Sequence, residues 1–197
     1  MSVMTQGEVR PKTEITLVPQ VSGQIIRVSD TFVEGGFFKR GEVLIKIEDT
    51  DYVAAVSQAE AQVAAAELEL ARQEASASIV AKQWKWDKLE KEEPTELGLR
   101  RPQVAEARAR LRAAQAELAS ARLNLARTEI KAPFNGHVRT KNTDIGAVIA
   151  PGAELGRIFA TDRVEIRLPL TDGQLGQLSL PVAFNASAQA PALPVKL

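Results

Sequence analysis

In the middle of the chain, apolar residues recur at alternating three- and four-residue steps, the heptad spacing of a two-helix seam. In the first arm the a positions are Val56, Val63, Leu70, Ala77 and Trp84, and the d positions are Ala59, Ala66, Gln73, Val80 and Asp87. In the second arm a falls on Val104, Leu111, Leu118 and Leu125, and d on Ala107, Ala114, Ala121 and Thr128. The stretch KEEPTELGLRRP separates the arms, with Pro94, Gly98 and Pro102 as helix breakers. The pattern predicts two long helices, folded back antiparallel, over residues 52–128. On either side, in 1–51 and 129–180, the pattern changes to the alternation of half-buried strands, rich in Gly, Thr, Val and Ile.

In an antiparallel pair a layers face d layers, so facing positions have a constant sum. A sum of about 184 sets each large residue against an alanine, which fills every layer evenly. Ala59 then meets Leu125, Val63 meets Ala121, Ala66 meets Leu118 and Leu70 meets Ala114. The same register sets Glu60, Glu67 and Glu74 against Arg122, Gln115 and Arg108, with no like charges opposed. It puts the turn near Pro94 and gives arms of ~37 residues, or ~55 Å, which project as a rod. Pro102 is expected to make the second arm irregular near the tip.

The two flanking segments repeat each other. The first reads VSGQIIRVSDTFVEGGFFKRGEVLIKIEDTD and the second APFNGHVRTKNTDIGAVIAPGAELGRIFATD. Gly41 aligns with Gly152, Leu44 with Leu155, Ile47 with Ile158 and Asp51 with Asp162. Upstream, Gly23 aligns with Gly136 and Ile25 with Val138, while Gly36 and Gly146 fall in the intervening turn. These six glycines are assigned to structural turns. Neither segment can bury its apolar face alone, so the two halves should pack together as a sandwich of short strands at the base of the rod.

Composition narrows the chemistry. Lys plus Arg and Asp plus Glu both number 25, a balance unlike the basic excess of a nucleic-acid binder. The absence of cysteine excludes disulfides, thiolate metal sites and a cysteine nucleophile, and His137 is the single histidine. No metal or cofactor site, and no catalytic constellation, can be assembled from the sequence. His137 is read as a hydrogen-bonded surface residue, and Asp51 and Asp162 as caps or turn formers. Trp84 is placed in the seam and Trp86 outside it. No run approaches the ~18 apolar residues of a membrane span, and the N-terminus has no signal-peptide core. The chain is expected to be a fragment.

The stretches VSGQI (Val21–Ile25), FKRGEVLIKIE (Phe38–Glu48), TEIKAPFNGHV (Thr128–Val138) and GAVIAPGAELGRI (Gly146–Ile158) carry a resemblance. Together with the helical insertion they resemble the periplasmic adaptor, or membrane fusion protein, family of tripartite efflux pumps, of the resistance-nodulation-division type. The resemblance covers about residues 20–180 and implies an α+β fold. In it, a split lipoyl-like (barrel-sandwich hybrid) β domain is interrupted by a long antiparallel coiled-coil hairpin, with partial β-barrel segments attached. The implied divisions are a barrel strand in 1–19, lipoyl-like halves in 20–51 and 129–162, the hairpin in 52–128 and a second barrel segment in 163–197. The remainder of the barrel and a membrane-proximal domain are expected to lie outside the chain.

The resemblance implies an adaptor, not an enzyme. It would sit in the periplasm, anchored to the inner membrane in the full-length protein, and bridge an inner-membrane transporter to a TolC-like outer-membrane channel. A homo-oligomer, a hexamer in the assembled pump, is implied as well. The tip KWDKLEKEEPTELGLRRPQ departs from the Arg, Leu and Ser docking pattern of many members. The docking residues proposed from its own sequence are Lys88, Leu89, Leu97, Leu99, Arg100 and Arg101, with Leu89 and Leu99 lacking a partner inside the pair. Two alternatives stay open: a lipoyl or biotinyl carrier domain, and an adaptor of an ABC-type secretion or efflux system.

Overall fold

The structure, a computed structural model, describes residues 6–87, 99–167 and 169. In chain order it contains β1 (Glu8–Pro11), β2 (Glu14–Leu17), β3 (Gly23–Val28), β4 (Phe37–Phe38) and β5 (Val43–Ile47). The helices α1 (Thr50–Asp87) and α2 (Arg101–Ala126) follow. The chain then forms β6 (Glu129–Lys131), β7 (Gly136–Lys141), β8 (Val148–Ile149), β9 (Gly156–Ala160) and β10 (Val164–Arg167).

Two four-stranded sheets make the sandwich, ordered β2-β9-β7-β4 and β6-β5-β3-β8. Each sheet takes strands from both halves of the repeat, so the halves are interleaved and do not form one sheet each. β4 of the first half pairs with β7 of the second, and β8 of the second half pairs with β3 of the first. The hydrogen bonds reciprocate. The Ile25 N–H donates to the Ala147 carbonyl at 2.9 Å, and the Val138 N–H to the Gly36 carbonyl at 3.0 Å. Likewise the Gly41 N–H donates to the Ala132 carbonyl at 2.8 Å, and the Gly152 N–H to the Pro19 carbonyl at 3.1 Å. The repeat is therefore a pseudo-two-fold arrangement of the whole sandwich.

Alternation along the strands turns one face of each sheet inward. Ile25, Phe32, Phe38, Leu44, Ile45, Ile47, Val138, Leu155 and Ile158 form one core sealed from solvent. β2 belongs to the sandwich through its pairing with β9, so the segment 1–19 is not all barrel strand. β1 pairs antiparallel with β10 in a separate two-stranded ribbon, joining the two segments assigned to the partial barrel.

The six turn glycines divide into two kinds. Gly41 and Gly152 hold φ of 84° and 87° at matching turns, where an L-residue is strained, and Gly23 and Gly146 also have positive φ. Gly36 and Gly136 do not. Gly36 still closes a turn, its N–H donating to the Val33 carbonyl at 2.8 Å, whereas Gly136 lies in a strand, which corrects its assignment. Gly136 opens β7, and a Cβ there would lie 2.0 Å from the Phe159 carbonyl oxygen. One at Gly36 would lie 2.2 Å from that of Thr31. Both positions need glycine for close backbone approach. The counterpart of Gly146 in the first half is Gly35, with φ of 78° against 89°.

Between β4 and β5 the turn is held by Glu42, whose carboxylate accepts from the Lys39 N–H and from the Thr31 and Ser29 hydroxyls. The Lys39 N–H, then the Thr31 hydroxyl, holds this carboxyl below the usual carboxylate range.

Candidate functional site

α1 and α2 pack antiparallel, and every a and d position from Val56 to Val80 and from Val104 to Thr128 is buried or half-buried. The register is visible in two interhelical ion pairs. Arg122 reaches Glu60 and Arg108 reaches Glu74, each at 2.7 Å. These are the charge pairs expected from the heptad register. Gln73, the polar residue in the seam, donates to Glu69 on its own helix at 2.7 Å.

Two helices alone cover only a narrow strip of each other. Ala59, at 3% exposure, and Ala107, at 4%, are the fully buried hydrophobic residues among the described helix positions. Trp84 lies at an a position yet is 37% exposed, and Trp86 is 88% exposed. On the e side of the seam a groove opens over an apolar floor that includes Leu70, Ala77, Val104 and Leu111. Glu74, Arg108 and Arg112 stand at its rim.

Of the six proposed docking residues, Lys88, Leu89 and Leu97 lie outside the described residues. Leu99 is half-buried and lines the same groove as Ala77 and Val104, so it does have company inside the pair. Arg100 precedes α2 with φ of 57°, and its carbonyl accepts the Val104 N–H at 3.1 Å. Arg101 begins the helix and also lines the groove. Pro102 sits in the first turn of α2, where a missing N–H costs no helical bond. It starts the arm instead of distorting it.

At the opposite end the hairpin meets the sandwich through two chain crossings. The Ile47 N–H donates to the Thr128 carbonyl at 2.9 Å, tying them together. The Thr128 hydroxyl donates to the Leu125 carbonyl at 2.7 Å, so this buried polar side chain is satisfied. Tyr52 packs its ring against the core and donates from its hydroxyl to the Ser22 carbonyl at 2.8 Å.

The remaining candidates are structural. His137 Nδ1 lies 2.9 Å from the Gly35 carbonyl, which can only accept, so Nδ1 carries the proton. Its ring stands edge-on to Phe37 at 5.4 Å and stacks on Phe159 at 5.9 Å. Asp51 occupies the first turn of α1, where a carboxylate favours the helix dipole. Among the described residues no cluster of His, Asp and Glu has metal-site geometry, and no helix is long and apolar enough to cross a membrane.

Residues 13–161 match the family model described as RND MFP, barrel-sandwich hybrid domain. The chain belongs to this family of membrane fusion proteins. Relatives agree. The multidrug resistance protein MdtA of Klebsiella pneumoniae subsp. pneumoniae is 28% identical over 190 residues, covering 96% of this chain and 44% of that protein. MdtA of Escherichia coli K12 is 30% identical over 174 residues, covering 84% and 39%. The chain thus spans less than half the length of the curated relatives it matches.

Solved structures show the same fold. MacA from Actinobacillus actinomycetemcomitans superposes with a TM-score of 0.66 at 18% identity, over 88% of this chain and 57% of MacA. A putative efflux transporter from Bacteroides eggerthii does so with a TM-score of 0.65 at 20% identity, over 89% and 48%.

In this membrane fusion protein two features escape a reading by composition. The groove arises where small residues, Ala77, Ala81 and Ala105, replace bulk on one side of the seam. Tyr52 continues the d series one heptad back from Ala59, one layer beyond Val56, the first predicted seam position. Extending the heptad by that layer would have placed it over the sandwich.

Proposed function

We propose that the chain is the hairpin-bearing part of a periplasmic adaptor, joining an inner-membrane transporter to a TolC-like outer-membrane channel for export of small molecules. The observation that carries this is the long, half-exposed hairpin inserted into a barrel-sandwich hybrid domain of the membrane fusion protein family. A two-helix rod with an unfilled groove is a surface suited to other helices, and apolar anchors spaced along a helix are how such contacts are read. The relatives named for multidrug resistance support export as the process. The full-length protein is placed in the periplasm with an inner-membrane anchor, and in the working pump it is a homo-oligomer, a hexamer.

Docking is assigned to the hairpin end, through Lys88, Leu89, Leu97, Leu99, Arg100 and Arg101. No catalytic role enters. A carrier role is disfavoured because the connection between β5 and β6, where an acceptor lysine would need a tight turn, is the hairpin itself.

The test is drug susceptibility in cells that lack their own adaptor and carry the full-length protein. Leu89→Asp with Leu99→Asp is expected to abolish resistance while co-purification with the transporter persists. Undiminished resistance in that variant rejects docking through the tip. Failure of the unmodified full-length protein to restore resistance beside its own transporter and channel rejects the adaptor reading.

A further inference from the structure

The hairpin is a long lever on a small base. At ~1.5 Å per residue α1 extends ~57 Å, so a 10° tilt at its root would move its far end by roughly 10 Å. Neither helix lies along a strand of the sandwich. The direction of the lever is therefore set by the few groups at the junction.

Three attachments meet there. Two are the chain itself, entering α1 after β5 and leaving α2 before β6, joined by the bond from Ile47 to Thr128. A covalent crossing is a pivot and resists bending weakly. The third is the bond from the Tyr52 hydroxyl to the Ser22 carbonyl. Among the described residues it is the side-chain hydrogen bond that links a helix of the hairpin to the sandwich, and it lies off the line of the crossings.

The acceptor is held in place from both sides. Val21 before it is buried in the core. Gly23 after it starts β3 with φ of 149°, so close to Ile47 that a Cβ would lie 2.6 Å from its Cγ2. The backbone N–H of Glu48, one residue past β5, donates to the Gln24 carbonyl at 2.8 Å. The Ser22 carbonyl thus belongs rigidly to the sandwich, whereas the Tyr52 ring belongs to the first turns of α1. Beside them lies a crevice lined by Glu48, Asp51, Ala55, Ala121 and Asn124.

The geometry points to Tyr52 as a positioning residue that fixes the angle at which the hairpin leaves the sandwich. Its hydroxyl selects one orientation from those the crossings allow, while its ring provides the packing. For an adaptor that must reach a partner at a distance, the angle decides where the tip arrives. That consequence rests on the proposed function, but the angle itself does not.

The chain has no cysteine, so Thr16→Cys on β2 and Ala75→Cys on the outer face of α1 accept spin labels at two unique sites. Pulsed electron paramagnetic resonance then reads the sandwich-to-hairpin distance distribution in the whole chain. Tyr52→Phe keeps the ring and removes the donor. The expected result is a melting curve and helix content like the parent's, with the population outside the parent's distance range raised roughly fivefold, the weight of one hydrogen bond. Ser57→Ala, which removes a hydroxyl bonded only within α1, is expected to leave the distribution unchanged. A Tyr52→Phe distribution no wider than the parent's overturns the proposal, and so does equal widening in Ser57→Ala. Export assays on the full-length variant bear on the adaptor reading alone.

Discussion

The sandwich closes over Phe32, Phe38, Ile45 and Ile158, which are shut off from solvent altogether, whereas the hairpin leaves nearly all of its seam half-open. Both regions use short repeats of apolar residues, but the geometry of burial differs. Two facing sheets enclose a volume, and each inward side chain is covered by neighbours on both layers. Two helices share only a line, and each seam residue keeps one flank toward water. The sandwich is therefore stable through its own core. The hairpin is held by a thin seam and ion pairs at its edge, and apolar residues such as Leu68, Ile79 and Leu123 stay exposed on it.

The largest effect should come from the closed core. Phe32→Ala is expected to cost about 3–5 kcal/mol in urea unfolding monitored at the sandwich. A cost under about 1 kcal/mol would mean that the sandwich is no better packed than the hairpin. Gly136→Ala comes next, since its Cβ would meet the Phe159 carbonyl, and about 1–3 kcal/mol is expected with disturbed β7–β9 amide signals. Gly152→Ala meets no atom and should show only the left-handed backbone cost of about 1–2 kcal/mol, with those signals unmoved.

In the seam, Leu118→Asp is expected to cost about 1–3 kcal/mol, because the half-open flank lets the carboxylate reach water. Circular dichroism should show an earlier melting of helix, with the sandwich amide protons still protected. The smallest effect belongs to the edge. Arg122→Glu should cost about 0.2–1 kcal/mol, and adding Glu60→Arg should restore it. Recovery in the double variant confirms that the two residues face each other across the pair, and its absence removes that register.

The hairpin was the more legible region in the sequence. A heptad states both period and facing partner, so the layers and the ion pairs of Glu60 and Glu74 follow from residue numbers alone. The sandwich was legible as a repeat of strands but not in its pairing. Alternation of Ile, Val and Leu tells which side chains turn inward and not which strand lies alongside, so the interleaving of β4 with β7 and of β8 with β3 had no signature. The same limit explains Gly136, since a glycine needed for close approach looks like one needed for a turn. At the hairpin end the reading was thinnest. Leu99 looked isolated because the seam was extrapolated straight to the turn, whereas α2 starts only at Arg101 and Leu99 lies against the groove.

The interleaved sheets also constrain how the molecule can form. β5 must find β6, and β3 must find β8, across the whole helical insertion, and a chain segment of that length closing on itself unaided loses considerable entropy. The helices remove most of that loss, because their contacts are made between residues progressively closer in sequence toward the turn and can assemble by zipping. Once α1 and α2 are paired, Ile47 and Thr128 are neighbours, and the two halves of the sandwich meet at a high effective concentration. The hairpin is then a scaffold for assembly before it is a reaching arm, and an unequal change in the length of one helix would be felt first as slow folding of the strands at its foot.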